Sequence, residues 1–139
     1  MRREELTVDD GLLCLSINGK SETIFNPTDM GFVEKLYGVF EELDRRQSAM
    51  EAAIRSTEPK EVFRLCREAD AEMRRLVDSV MGEGTCAAQF GDVNVYAYAE
   101  GLPLWSNLLF AVLERCESEV ETQLSHPRLE KYRAKYGKK

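Results

Sequence analysis

The opening thirty residues constrain the fold more tightly than anything that follows. Leu12 to Ile17 and Lys20 to Phe25 are alternating runs on either side of Asn18-Gly19. Asn and Gly tolerate the positive φ that a two-residue type I′ turn requires, so the pair predicts an antiparallel hairpin. Leu6-Thr7-Val8, ahead of Asp9-Asp10-Gly11, is expected to add a third short strand or to lengthen the first, which places the hairpin region at 6–25. A two-stranded hairpin alone is marginal in water. One face, either Leu13, Leu15 and Ile17 or the opposite set, must therefore lie on helices or on a neighbouring subunit.

Asn26-Pro27-Thr28-Asp29 then carries the signals of a helix start. Asn26 can cap, Pro27 sits where a missing N–H costs nothing, and Asp29 brings negative charge to the first turn. A helix is expected over about 27–56, with Phe32, Leu36, Phe40 and Leu43 as its apolar stripe and Val33 and Tyr37 widening it. Ser56-Thr57-Glu58-Pro59 ends that helix and opens a second over 59–81, with Thr57 or Glu58 near the cap. Its positions Val62, Cys66, Ala69, Met73, Leu76 and Val80 step by four and three, a seam for one partner helix. The natural partner is the preceding helix folded back, and an oligomer seam also fits.

Gly82-Glu83-Gly84 closes the second helix, Thr85 can cap a short one over 85–90, and Gly91 stops it. Asp92 to Gly101 reads as a connection with a short extended piece, Val93 to Ala97. Pro103 opens the last major helix, 103–124, with Trp105, Leu108, Leu109, Val112, Leu113, Cys116 and Val120 on one broad face. Ser125-His126-Pro127 breaks it, and Leu129 to Tyr136 is expected to form a terminal turn or short helix. The expected fold is α+β and mainly helical: an N-terminal β-hairpin packed on a bundle of three to four helices. It is read as a single globular domain, 1–127, followed by a basic C-terminal segment, 128–139.

With 139 residues, 43% of them hydrophobic and 32% charged, the chain can bury a core without disulfides or metal. Its four cysteines, Cys14, Cys66, Cys86 and Cys116, form no Cys-x-x-Cys pair and are read as reduced. No segment approaches the ~20 apolar residues of a membrane span, and the N-terminus is unlike a secretory signal. A cytoplasmic protein with no membrane partner is expected. The net charge of −6 hides an asymmetry. From Pro127 onward Arg128, Lys131, Arg133, Lys135, Lys138 and Lys139 face only Glu130, so the body is strongly acidic and disfavours nucleic acid as a partner.

The motifs that could carry chemistry fail one by one. Gly82-Glu83-Gly84-Thr85 lacks the lysine and the preceding strand of a phosphate loop. Asp92-Val93-Asn94 opens like a calcium loop, but Tyr96 stands where a ligand belongs and Ala97 where the glycine belongs. Cys86 in a first turn could be a thiolate, yet the one histidine, His126, lies far along the chain in an expected loop. One histidine and scattered cysteines make no zinc site. No cofactor and no catalytic residue is therefore assigned, and the chain is not read as an enzyme. The residues left as candidates for binding a partner are aromatic: Phe90, Trp105, Tyr132 and Tyr136, the last two sharing a helical face in the basic segment.

Taken in order, the hairpin, Phe25-Asn26-Pro27-Thr28-Asp29 with Phe32, Gly82-Glu83-Gly84-Thr85-Cys86, Phe90-Gly91-Asp92 with Asn94, Gly101, Trp105, Lys131-Tyr132 and Lys135-Tyr136 resemble a family of small phage and prophage proteins. Its members come from tail gene clusters of long-tailed phages of Gram-positive bacteria and look like tail assembly chaperones. The resemblance implies a non-enzymatic protein that binds the tape measure protein, keeps it soluble and helps bring tail tube protein to it. It also implies a longer product made by ribosomal frameshifting near Gly137-Lys138-Lys139. A structural tail or head component, self-assembling as a homo-oligomer, and a bacterial adaptor domain unrelated to phage stay open beside it.

Overall fold

A computed structural model describes residues 1–56 and 58–137. Thr57, expected near a helix cap, and Lys138 and Lys139 of the basic end lie outside the described residues.

The hairpin forms from β1 (Leu13–Ile17) and β2 (Ser21–Phe25), antiparallel. Asn18 and Gly19 take φ of 55° and 67°, and the Lys20 N–H closes the turn on the Ile17 carbonyl at 3.0 Å. Ile17 pairs with Ser21, however, so Lys20 is left out of the ladder and the two-residue register expected from Asn18-Gly19 is shifted by one. The side chains explain the shift. In the observed register Leu13, Leu15 and Ile17 share a face with Thr23 and Phe25, whereas the expected one would have turned Lys20, Glu22 and Ile24 inward. Glu22 and Ile24 instead face solvent.

Leu6–Val8 forms no strand, contrary to expectation. Asp9 Oδ1 accepts from the Gly11 N–H at 2.8 Å and Asp10 Oδ1 from the Leu12 N–H at 3.0 Å, local bonds that turn the backbone away from a ladder.

Helix α1 (Met30–Ser56) begins later than the expected residue 27. Asn26 Oδ1 accepts from both the N–H and the hydroxyl of Thr28, and Asn26 Nδ2 donates to the Asp10 carbonyl, so Asn26 builds a turn. Asp29 then takes the capping role, its Oδ1 accepting from the Gly31 N–H at 2.9 Å. Helix α2 (Pro59–Met81) folds back on α1 as an intramolecular hairpin, with Arg46 bonded to Glu42 on its own helix and to Glu72 across it. The stepped seam of α2 is only half-buried in places. The deepest residues, Met73, Val77 and Met81, run in steps of four along one ridge.

Helix α3 (Thr85–Phe90) follows Gly82-Glu83-Gly84. Thr85 does not cap it, because its hydroxyl donates to the Gly82 carbonyl. Asp78 does so from the preceding helix, its carboxylate accepting from the N–H groups of Gly84 and Cys86 at 3.2 and 2.9 Å. The connection that follows holds no extended piece at Val93–Ala97. It turns about Asn94, whose side chain binds the Tyr96 N–H and the Cys66 carbonyl. A second small hairpin comes just after, β3 (Tyr98–Ala99) with β4 (Leu102–Pro103), turning on Glu100 and Gly101 at φ 54° and 80°.

Helix α4 (Leu104–Leu124) lays Trp105, Leu108, Leu109, Val112 and Cys116 into the core, and α5 (Pro127–Tyr136) runs beyond it. Tertiary packing makes one core from both α1 and α2, the inner face of the first hairpin and α4. The hairpin is fixed by side chains of the helical body. Thr23 donates to the Met81 carbonyl at 2.9 Å, and Gln89 of α3 donates to the Ile17 carbonyl and Ser21 hydroxyl, both at 2.7 Å. Among the described residues no helix is long and apolar enough to cross a membrane.

Candidate partner-binding surfaces

The four candidate aromatic residues divide sharply. Trp105 is 1% exposed, its ring lies edge-on to Phe40 at 5.4 Å, and its Nε1–H donates to Gln47 Oε1 at 2.9 Å. Both the apolar body and the polar tip of the indole are thus used inside the fold, and Trp105 offers nothing to a partner. Gln47 passes the network outward by donating to the Tyr98 hydroxyl, which donates in turn to Glu51. Phe90 is half-buried against the core and lines a groove described below. Tyr132 and Tyr136 are exposed, with ring centroids 5.9 Å apart and Lys135 Nζ 5.1 Å from the Tyr136 centroid.

The segments tested for chemistry have structural duties. Cys86 is buried, and burial, followed by the neighbouring Asp78 carboxylate, pushes its thiol well above the ordinary value. It is held as a thiol donating towards the Arg74 carbonyl, the reverse of a thiolate nucleophile. His126 caps α5, its Nδ1 accepting from the Arg128 N–H at 3.0 Å. Arg74, paired with Asp70, donates to the carbonyls of Gly91 and Val93, while Asp70 accepts from the Val95 N–H. This ties the 91–97 connection to α2. Among the described residues, no cluster of three or more His, Cys, Asp or Glu is placed to hold a metal.

Among the described residues three grooves border α4: a polar one of about 700 Å³ at its C-terminal end, where Tyr132 and Leu129 meet Asp9, Asp10 and Glu119, and two that are mainly apolar. On one side, a groove of about 550 Å³ opens between β1 and α4. Leu15, Ile17, Phe90, Leu104, Leu108 and Val112 supply its apolar surface, with Asn18, Gln89 and Asn107 as polar edges and Arg115 as its one charge. On the other side, a groove of about 430 Å³ runs between α1 and α4, lined by Met30, Val33, Tyr37, Phe40, Phe110 and Leu113 with Glu114 and Glu117 beside them. Met30, Tyr37 and Phe110 are 59%, 56% and 48% exposed, so this groove presents large apolar groups to solvent. Sequence reasoning missed both apolar grooves. Each draws on elements far apart in the chain, and only the hydrophobic width of α4, broader than one packing face needs, hinted at them.

Neither arrangement brings an acid and a base together around a reacting position, and both suit recognition by shape and apolar contact. Compared with known proteins, the chain matches no family model, no curated protein and no solved structure.

Proposed function

We propose that this protein is a non-enzymatic phage tail assembly chaperone, acting in the host cytoplasm, that binds the tape measure protein and assists assembly of the tail tube around it. The observation that supports this most is the β1/α4 groove. It is open, apolar along its length and polar at its edges, and includes Phe90. A long helical client exposes apolar stripes at i, i+3, i+4 and i+7, and a groove with these properties can cover such a stripe. The sequence resemblance supplies the identity of the client, and the acidic body of the chain would keep a bound complex soluble.

The test is co-expression with the tape measure protein of the same tail cluster, followed by affinity capture and size-exclusion chromatography. The two proteins are expected to leave the column together, and the tape measure protein to precipitate when made alone. Ala111→Arg places a long cation in the groove from an exposed position and should release the client while the fold is kept. A tape measure protein that is soluble alone and never binds would sink the proposal. Recovery of this chain in finished virions would favour a structural tail component instead.

A further inference from the structure

Helix α5 has no fully buried residue. Only Leu129 is half-buried, while Tyr132 and Tyr136, one and two turns further on, stand 59% and 66% exposed. These three lie at i, i+3 and i+7 and make one apolar edge on a short helix. Around them are four cations, Arg128, Lys131, Arg133 and Lys135, against the single anion Glu130. Arg128, Leu129 and Tyr132 border a groove shared with Asp9, Asp10 and Glu119 of the same chain, yet both tyrosines keep more than half of their surface open, and a helix of this composition suits a surface that is apolar and acidic.

The α1/α4 groove has both properties. Its apolar residues run from Met30 to Phe40 on one wall and from Phe110 to Val120 on the other. Each span covers eleven residues of a helix, on the order of 15 Å at ~1.5 Å per residue, and α5, of ten residues, has nearly the same length. Glu114 and Glu117 line the groove, and Glu34 and Glu41 lie one turn to either side of Tyr37 on α1. All four carboxylates are exposed, and among the described residues none forms an ion pair.

We infer that α5 of one copy docks in the α1/α4 groove of a second copy, so that the chain assembles with itself head to tail. Tyr132 and Tyr136 enter among Tyr37, Phe40 and Phe110, and the cations of α5 meet the carboxylates of the rim. Arm and groove are different surfaces, so the contact is heterologous: it propagates from copy to copy and ends only when a ring closes. The β1/α4 groove lies on the other flank of α4 and stays free for a client, so self-assembly stands or falls independently of the chaperone proposal.

The experiment is light scattering coupled to size exclusion on the full chain. Wild type is expected above the single-chain mass of 15.9 kDa, shifting towards it in about 1 M salt, where screening shortens to about 3 Å. Glu114→Lys/Glu117→Lys reverses the groove, and Lys131→Glu/Lys135→Glu reverses the arm. Each double variant should run as one chain with an unchanged circular dichroism spectrum, since all four positions are exposed. Mixed together, they should reassemble, because each then offers the arm that the other's groove accepts. A wild type that runs as one chain at its highest soluble concentration would overturn the inference. So would oligomers indifferent to both reversals, or variants that do not reassemble on mixing, as when α5 folds onto its own groove.

Discussion

At the scale of single residues, polar side chains decide what the apolar pattern leaves open. Gln47 sits 6% exposed on the apolar side of α1, where it accepts the indole N–H of Trp105 and donates to Tyr98. Gln47→Ala leaves that buried N–H without a partner and should cost about 1–3 kcal/mol, read as a lower denaturant midpoint at unchanged slope. A loss under a few tenths would mean that water replaces the amide. Cys86 makes a pH prediction. Below its ordinary value of 9.0 the thiol is protonated whether the chain is folded or not, so it adds no pH dependence there. Above 9.0 the unfolded chain gives up the proton while the folded chain, its thiol held higher by burial and Asp78, retains it, and stability falls. Cys86→Ala should therefore show a shallower decline from pH 9 upward, and equal slopes would contradict the burial argument. Neither residue's role was legible in the sequence. A glutamine on an apolar stripe and a cysteine in a first turn gain their meaning only from partners far away in the chain, Trp105 for one and the Asp78 carboxylate for the other.

At the scale of elements, local chemistry announced most of the fold. Asn18-Gly19 marked the first hairpin, Pro59 opened α2, Ser125-His126-Pro127 marked the break after α4, and apolar periodicity outlined α1, α2 and α4. Helix α5 begins at Pro127, two residues before the expected Leu129. The departures have identifiable causes. Lys20 drops out of the ladder because Lys20 itself and Glu22 of β2 would otherwise point inward. The β3/β4 hairpin escaped notice because strands of two residues have no alternation and Glu100-Gly101 is a weaker turn signal than Asn-Gly. A glycine in a helix interior, such as Gly38 of α1, fits either close helix packing or simple tolerance, and the structure decides between them. A Cβ there would meet nothing within 4 Å. Gly38→Ala should therefore stabilise the protein by about 0.5–1 kcal/mol, through helix propensity and a less flexible unfolded chain, as measured by chemical denaturation. Destabilisation would show that α1 is approached there by a neighbour, such as a second copy.

At the scale of the whole molecule, one helix organises everything that could meet a partner. α4 contributes the centre of the core and one wall of each groove, and α5 continues from its end as a basic arm. Of the four aromatic candidates, Tyr132 and Tyr136 were legible as sharing one face of a basic helix, a face that could equally have packed on the bundle, and the structure leaves both exposed. The role of Trp105 was not legible, because a tryptophan on a broad apolar face looks the same whether it anchors a core or a partner. The grooves themselves exist only through the meeting of β1, α1 and α4, elements drawn from the two ends of the chain. The central claim, that the β1/α4 groove holds a helical client, is tested most directly by hydrogen exchange on the purified complex with the tape measure protein. Client binding should slow exchange in Leu15–Asn18 and along Leu104–Val112, with α2 unchanged. A stable complex in which those segments exchange as fast as in the free protein would contradict it.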